Sequence, residues 1–179
     1  MQPILASSCK LATTAAEARY RIDAPISPRR GARVIALDDG AATVVRRVAQ
    51  QEWNAARFFT LVVDVPSAAG AGSGPVPVVA VDGVPDIALR RTDGSNSLLS
   101  EELVGADVAV MVATTDGSPV AADAIGRACA RRGIMTAGLV LGAQEAVAHT
   151  LVALRPHAQV LLVTSDEQDV AEVLTALRA

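Results

Sequence analysis

The sequence predicts an α/β protein in which helices cover both faces of a mostly parallel sheet. From residue 32 onward, segments with strand character alternate with segments of helical periodicity. The strand segments are continuous apolar runs, such as Asp107–Ala113 (DVAVMVA), which is typical of strands that are buried on both faces. The chain has 179 residues, of which 51% are hydrophobic, so one such domain can bury its core without disulfides or metals.

Strands are expected where short apolar runs end in turn-forming residues. Six strands with a wide gap after the second or third favour a doubly wound sheet of order 3-2-1-4-5-6, a three-layer αβα sandwich of the Rossmann-like type. Ile87–Arg90 is a further strand candidate. The six runs are Ala32–Leu37, Phe58–Val63, Val76–Val81, Asp107–Ala113, Ile134–Leu141 and Gln159–Val163.

Helices are expected where apolar residues recur three or four positions apart. Ser118 followed by Pro119 is a strong start signal, and Gly133 stands where a glycine ends that helix. Ser97 is a candidate cap of a short helix, and residues 165–168 (SDEQ) match a capping box. The expected helices run from Ala41 to about Trp53, over Ser97–Val104, from Pro119 to Arg132, from Ala143 to Leu154, and from Ser165 to Leu177.

Two stretches fall outside this pattern of strands and helices. Residues 1–31 have mixed polarity and no strong period, which predicts an N-terminal arm, with a short helix near Leu11–Tyr20. Residues 65–76 belong to a low-complexity stretch rich in Gly, Pro, Ala and Ser, which predicts a flexible loop. The expected organisation is therefore an arm followed by one α/β domain over residues 32–179.

Composition excludes several classes of function. A net charge of −3 and an aromatic content of 2% argue against nucleic-acid binding. No apolar run reaches the length of a membrane span, and the N-terminus does not match a signal peptide. Neither of the two cysteines belongs to a CxxC motif. We therefore expect a cytoplasmic protein that binds neither nucleic acid nor membranes.

The candidate ligand site lies where the order of a doubly wound sheet reverses, beyond the carboxyl ends of strands 1 and 4. The second of these loops leads into a helix whose free N–H groups favour an anion, and its hydroxyls add donors. A phosphate or carboxylate is therefore the expected ligand, although capping and turn formation alone also explain these residue types. The candidate residues are Asp38, Asp39, Gly40, Thr114, Thr115, Asp116, Gly117 and Ser118.

The acidic residues at the strand ends allow a second interpretation. The first loop has DDGAAT in place of GxGxxG, and two carboxylates repel phosphate unless a divalent cation lies between them. Asp38 and Asp116 are the candidate Mg²⁺ ligands, with capping of the following helices as the alternative. Asp64, at the end of strand 2, stands in the place of a ribose-binding acid. No cofactor is specified; a nucleotide and Mg²⁺ are both candidates.

Other residues carry weaker signals. The arginine pairs at residues 29–30, 46–47, 90–91 and 131–132 suit phosphate or carboxylate, or reflect a general compositional preference for arginine. His149 and His157 do not have metal-ligand spacing; His149 is expected on a polar helix face. Cys129 lies inside a helical pattern and is expected in the core.

The stretch from Glu102 to Gly142 resembles the nucleotide-binding half of the bacterial tubulin homologue FtsZ. That family joins a strand that follows Gly-Ala-Asp to a glycine-rich phosphate loop, a helix and a second apolar strand. Residues 32–48 (ARVIALDDGAATVVRRV) resemble its first strand, loop and helix. In the phosphate loop, residues 114–118 match the family through their threonines, Gly117 and serine, whereas the first loop lacks its glycines. The family's activation domain has no counterpart here, so the resemblance implies a Rossmann-like nucleotide-binding fold rather than GTP hydrolysis.

Three classes of function remain open at this point. The first is a module that binds a small anion or nucleotide at residues 38–40 and 114–118. The second is a scaffold that works through self-association, since the Ala- and Val-rich helices allow close packing and a homo-oligomer. The third is a small Mg²⁺-dependent enzyme in which Asp38 and Asp116 hold the metal and Thr115 or Ser118 binds the substrate anion.

Overall fold

The computed structural model describes residues 31–62, 78–81 and 84–177. The predicted helix near residues 11–20, the loop over residues 65–76 and Asp64 lie outside the described residues, as does the predicted arm apart from Gly31.

Strands and helices alternate along the described chain. The strands are β1 (Ala32–Ala36), β2 (Arg57–Leu61), β3 (Val78–Val81), β4 (Val84–Arg91), β5 (Asn96–Leu98), β6 (Val108–Ala113), β7 (Met135–Leu141) and β8 (Val160–Thr164). The helices are α1 (Asp39–Val48), α2 (Leu99–Glu102), α3 (Pro119–Arg131), α4 (Ala148–Leu154) and α5 (Gln168–Ala176), with a 3₁₀ turn at Gln144–Val147.

The strands form one sheet of order β3-β4-β2-β1-β6-β7-β8, with β5 paired to β4. The five strands β2, β1, β6, β7 and β8 run parallel to one another. The order reverses between β1 and β6, as predicted for strands 1 and 4. The α/β class and the mostly parallel sheet are therefore confirmed.

The third position of the sheet differs from the prediction. It is occupied by the segment around Ile87–Arg90, which runs antiparallel to β2, pairing Thr60 with Arg90. The chain arrives there through the β3–β4 pair, in which Val81 lies opposite Val84. Antiparallel neighbours can be joined by such a short connection, whereas a parallel neighbour needs a long crossover.

The helices pack on both faces of the sheet. On one face, α1 and α5 bury a cluster with Val34, Val110 and Leu139, among other strand residues. On the other face, α2, α3 and α4 bury a cluster that includes Ile35 and Met111. The pattern explains why the central strands are apolar at every position: β1 and β6 are buried along their whole length. Cys129 lies in this core as predicted, as a free thiol.

The segment predicted as a helix over residues 97–104 is instead a strand followed by one helical turn. Ser97 belongs to β5, opposite Leu89, and is therefore not a helix cap. Its hydroxyl has no hydrogen-bond partner among the described residues. The carboxylate of Asp86 accepts hydrogen bonds from the main-chain N–H groups of Ile87 and Ser100 instead, at 2.8 and 3.2 Å. A contact from Asp86 of β4 to the first turn of α2 thus replaces the local cap that the sequence suggested.

Two further helix boundaries are corrected. Helix α1 ends at Val48 rather than near Trp53, whose indole donates to the main-chain oxygen of Val48 at 2.9 Å. The capping box at residues 165–168 does not form, because Asp166 accepts from the N–H of Gln168 at 2.8 Å, in a local turn. By contrast, α3 begins and ends as predicted: Ser118 precedes it, and Gly133 follows with a φ of 67°.

Among the described residues, no helix combines the length and the apolar character that crossing a membrane requires.

Candidate functional site

A cleft of about 710 Å³ opens beside the β1–α1 and β6–α3 loops, where the sheet order reverses. Its volume falls within the range of small-molecule sites. Thr114 and Asp116 belong to the β6–α3 loop but do not line the cleft. The predicted site residues that line it are Asp38, Asp39, Gly40, Thr115, Gly117 and Ser118.

Asp38 joins the two loops. One carboxylate oxygen accepts from the N–H of Ala41 at 2.8 Å and from the hydroxyl of Thr114 at 2.5 Å. The other accepts from the main-chain N–H groups of Thr114 and Thr115, at 2.7 and 3.1 Å. A carboxylate offers about four acceptor positions, so these four contacts use all of them. Asp38 therefore caps α1 and fixes the β6–α3 loop against it.

Gly40 and Gly117 allow the two loops to approach each other. A Cβ on Gly40 would overlap the hydroxyl of Thr114, and a Cβ on Gly117 would lie 3.1 Å from that of Asp38. Both glycines were predicted as turn or ligand residues. The structure instead assigns Gly40 to the first turn of α1, where its lack of a side chain leaves room for the Asp38–Thr114 hydrogen bond.

Asp116 faces helix α4 rather than Asp38. Its carboxylate accepts from the N–H groups of His149 and Thr150, at 3.2 and 2.8 Å, and from the ring Nδ1 of His149, at 2.9 Å. Burial alone would raise the pKa of Asp116, but these hydrogen bonds outweigh it and lower the pKa to about 2. The Asp116–His149 pair has no sequence signal, because Asp116 lies on the β6–α3 loop and His149 lies 33 residues away on α4.

The amino end of α3 faces the cleft through Ser118. The side chain of Ser118 makes no capping hydrogen bond, and Pro119 has no N–H to offer. The helix has 13 residues, so its positive dipole end is well developed. This end of the cleft is therefore attractive to negative charge.

Three arginines that sequence reasoning did not place at the site also line the cleft; one of them, Arg91, is paired with Glu102, and the other two, among the described residues, are not. Arg46 lies on α1 and Arg90 on β4. Their Nε groups donate to the oxygens of Ala42 and Asn96, at 3.1 and 3.4 Å. Within the described part of the chain, neither arginine forms an ion pair with a carboxylate. The signal in the sequence was present, since residues 46–47 and 90–91 are two of the four arginine pairs.

Among the described residues, no group of three His, Cys, Asp or Glu side chains comes together that could hold a metal ion. Mg²⁺ prefers several oxygen ligands. Asp38 would have to give up hydrogen bonds to supply one, and the carboxylate of Asp116 is bound to α4. The proposal that Asp38 and Asp116 share a metal stays a prediction.

His157 lies near the amino end of β8 and serves packing. Its ring covers Gly126 of α3, where a Cβ would overlap it. Its Nε2 lies 2.9 Å from a carboxylate oxygen of Asp123. This pair closes the junction between α3 and the loop that follows α4.

Comparisons with protein-family models, with curated proteins and with solved structures give no match for this chain. The fold and the site define the class of the protein: an α/β protein with a cleft beside the point where the strand order of its sheet reverses.

Proposed function

We propose that the protein is a Rossmann-like module that binds a small anionic molecule, such as a nucleotide, in the cleft beside residues 38–40 and 115–118. The observation that carries the proposal is the presence of Arg46 and Arg90 in one cleft with the amino end of α3. Arginine forks suit phosphate and carboxylate, and helix N-termini attract them.

The position of the cleft supports this proposal. In open α/β sheets, ligands bind in the crevice beyond the carboxyl ends of the strands where the order reverses. Here that place lies between β1 and β6. The hydrogen bonds of Asp38 hold the β1–α1 and β6–α3 loops together, so this part of the cleft is formed before a ligand binds.

A self-associating scaffold is the second candidate, favoured by the edge strand β8. Val160 and Val163 are exposed there on a strand that, among the described residues, pairs on one side only. Edge strands of this kind can pair with another chain. This candidate predicts oligomers that are insensitive to changes in the cleft.

The test is the thermal stability of the protein in the presence of GTP, ATP, NAD, coenzyme A, phosphate and citrate. A ligand at 100 times its dissociation constant adds about 2.7 kcal/mol, which raises Tm by several degrees. Thr115→Trp places an indole at the cleft and should abolish the rise. Thr43→Trp changes an exposed threonine of α1 that does not line the cleft, and should leave the rise intact.

If no compound raises Tm, the binding proposal fails and the scaffold becomes the better explanation. A compound that acts equally on both tryptophan variants binds elsewhere, and contradicts the assignment to this cleft.

A further inference from the structure

Resting on the proposed function, we infer that the cleft takes a ligand with a diphosphate group, held by Arg46 and Arg90 without a divalent cation. The inference concerns which anion the site prefers and how it neutralises the charge of that anion. The inference depends on Arg46 and Arg90, which lie on α1 and β4 at the cleft, rather than on the amino end of α3.

The arginines approach the cleft from different layers of the fold. Phe58 packs in the cluster beneath α1, and Thr60, two residues further along β2, lies on the same face of the sheet. Arg90 is the register partner of Thr60, so it shares that face. Arg46 lies on the helix that packs there. One arginine therefore comes from the sheet and the other from the helix above it.

The shape of the cleft favours an extended ligand. It is lined from Ser118, after β6, to Arg90 on β4, and thus crosses four neighbouring strands. At about 4.8 Å between strands, that distance is roughly 14 Å. A single phosphate or carboxylate would occupy only a part of this length. The remaining lining includes apolar residues such as Leu61 and Val62, which suit an organic group attached to the anion.

The number of available donors favours phosphate over carboxylate. Each guanidinium has five N–H groups, and the described structure engages only the Nε of Arg46 and of Arg90. A carboxylate has two oxygens, whereas two linked phosphates present more acceptors in two directions. Two arginines that face one cleft repel each other until an anion lies between them, which adds to the preference for high negative charge.

The charges of the cleft also argue against a bridging cation. Asp38 is saturated by its four hydrogen bonds, so among the described residues Asp39 is the one lining carboxylate left to bind a metal. One carboxylate is a poor Mg²⁺ site, even when phosphates supply further oxygens, beside two arginines that repel the ion. The arginines thus take the place that Mg²⁺ holds in many phosphate sites.

The experiment measures the binding of inorganic pyrophosphate, inorganic phosphate and citrate by calorimetry, each in EDTA and in Mg²⁺. Pyrophosphate should bind in EDTA at least tenfold more tightly than phosphate or citrate. Arg46→Ala and Arg90→Ala should each weaken its binding at least tenfold. Arg131→Ala, at the far end of α3, is the matched control and should leave binding unchanged. Asp39→Asn should strengthen binding, because it removes a repelling charge.

The outcomes separate this inference from the proposed function. If citrate binds in the cleft as tightly as pyrophosphate, or if pyrophosphate needs Mg²⁺, the inference is overturned while anion binding stands. The same holds if Arg46→Ala and Arg90→Ala behave like Arg131→Ala while Thr115→Trp still blocks binding. If none of the three anions binds and the nucleotide panel also fails, both proposals fall.

Discussion

The molecule contains two groups of arginines that differ in their partners: one group meets a buried carboxylate, and the other lines the cleft without one among the described residues. At the amino end of the sheet, Glu102 is buried, with 2% of its side chain exposed, and forms ion pairs with Arg57 and Arg91. The buried guanidinium of Arg33 donates to the main-chain oxygen of Glu102 at 2.6 Å. In the cleft, Arg46 of α1 has no carboxylate partner among the described residues. The first group is closed by the protein itself, whereas the second is open to a ligand.

The difference shows that the partner of an arginine decides its role. Arg90 and Arg91 are neighbours on β4, but they point to opposite faces of the sheet. Arg91 lies on the face of α2 and meets Glu102, whose ion pair raises the pKa of Arg91. Arg90 lies on the face of α1 and meets the cleft. Both residues line the cleft, but Arg90 has no carboxylate partner among the described residues, so it is the member of the pair that is open to a ligand.

The largest effect is expected when the closed group loses its carboxylate. Glu102→Gln should lower the free energy of unfolding by about 3 kcal/mol, because it removes the carboxylate that balances the buried charge of Arg33 and pairs with Arg57 and Arg91. The partial exposure of Arg57 and Arg91, at 58% and 39%, keeps the loss at the lower end of the usual range. Urea denaturation of the variant and the wild type measures the difference.

Glu101→Gln is the control, because Glu101 is exposed and stands next to Glu102. Its unfolding free energy should stay within about 0.5 kcal/mol of the wild type. Equal losses in both variants would show that the Glu102 ion pairs contribute nothing specific, and the contrast between the two arginine groups would lose its energetic basis.

At the open site, the largest effect on stability is expected at Gly40. Gly40→Ala should lower the free energy of unfolding by about 2 kcal/mol, because the new methyl group overlaps the hydroxyl of Thr114 and forces the loops apart. The double variant with Thr114→Ala should be less destabilised than the sum of the two single changes. A stabilised Gly40→Ala would mean that helix propensity dominates and that the contact between the loops is loose.

The alternation of strands and helices could be predicted because it depends on local patterns. Buried parallel strands need continuous apolar runs, and α3 carries its own start and stop residues in Ser118 and Gly133. The direction of β4 could not be predicted, since it depends on pairing with β3 and β2. Ser97 failed as a cap for a similar reason: its strand pairs with β4, a contact that no local pattern encodes.

The position of the candidate site could be predicted from the sequence, but the hydrogen bonds of its residues could not. Six of the eight predicted residues line the cleft, because the carboxyl ends of β1 and β6 meet where the order reverses. The saturation of Asp38 depends on donors that lie 76 and 77 residues away, in the β6–α3 loop. The pairing of Asp116 with α4 is equally non-local. Sequence spacing carries no information about such hydrogen bonds.

A moderate effect with a clear pH signature is expected at Asp116. The native pKa of about 2 lies below the ordinary value of 3.8. The charged carboxylate therefore stabilises the fold above about pH 4, and this stabilisation is lost as pH falls toward 2. Asp116→Ala should cost about 1 kcal/mol at neutral pH, as for the loss of a helix cap, and less at pH 3. Urea denaturation at the two pH values measures both.

Asp93→Ala is a matched control for Asp116, since Asp93 is also an aspartate with a lowered pKa, but its hydrogen bonds to Ser95 are local and exposed. It should leave the unfolding free energy close to that of the wild type. A pH-independent loss in Asp116→Ala would show that the side chain contributes packing rather than charge.

The smallest effect is expected at Arg47, and it sharpens the comparison most directly. Arg47 is adjacent to the proposed ligand residue Arg46, but it forms an exposed ion pair with Glu167 and does not line the cleft. Exposed ion pairs contribute little, so Arg47→Ala should change the unfolding free energy by no more than about 0.5 kcal/mol. It should also leave pyrophosphate binding unchanged, whereas Arg46→Ala weakens it. If both variants weaken binding equally, the effect comes from the general positive charge of α1, and the distinction between paired and open arginines does not hold.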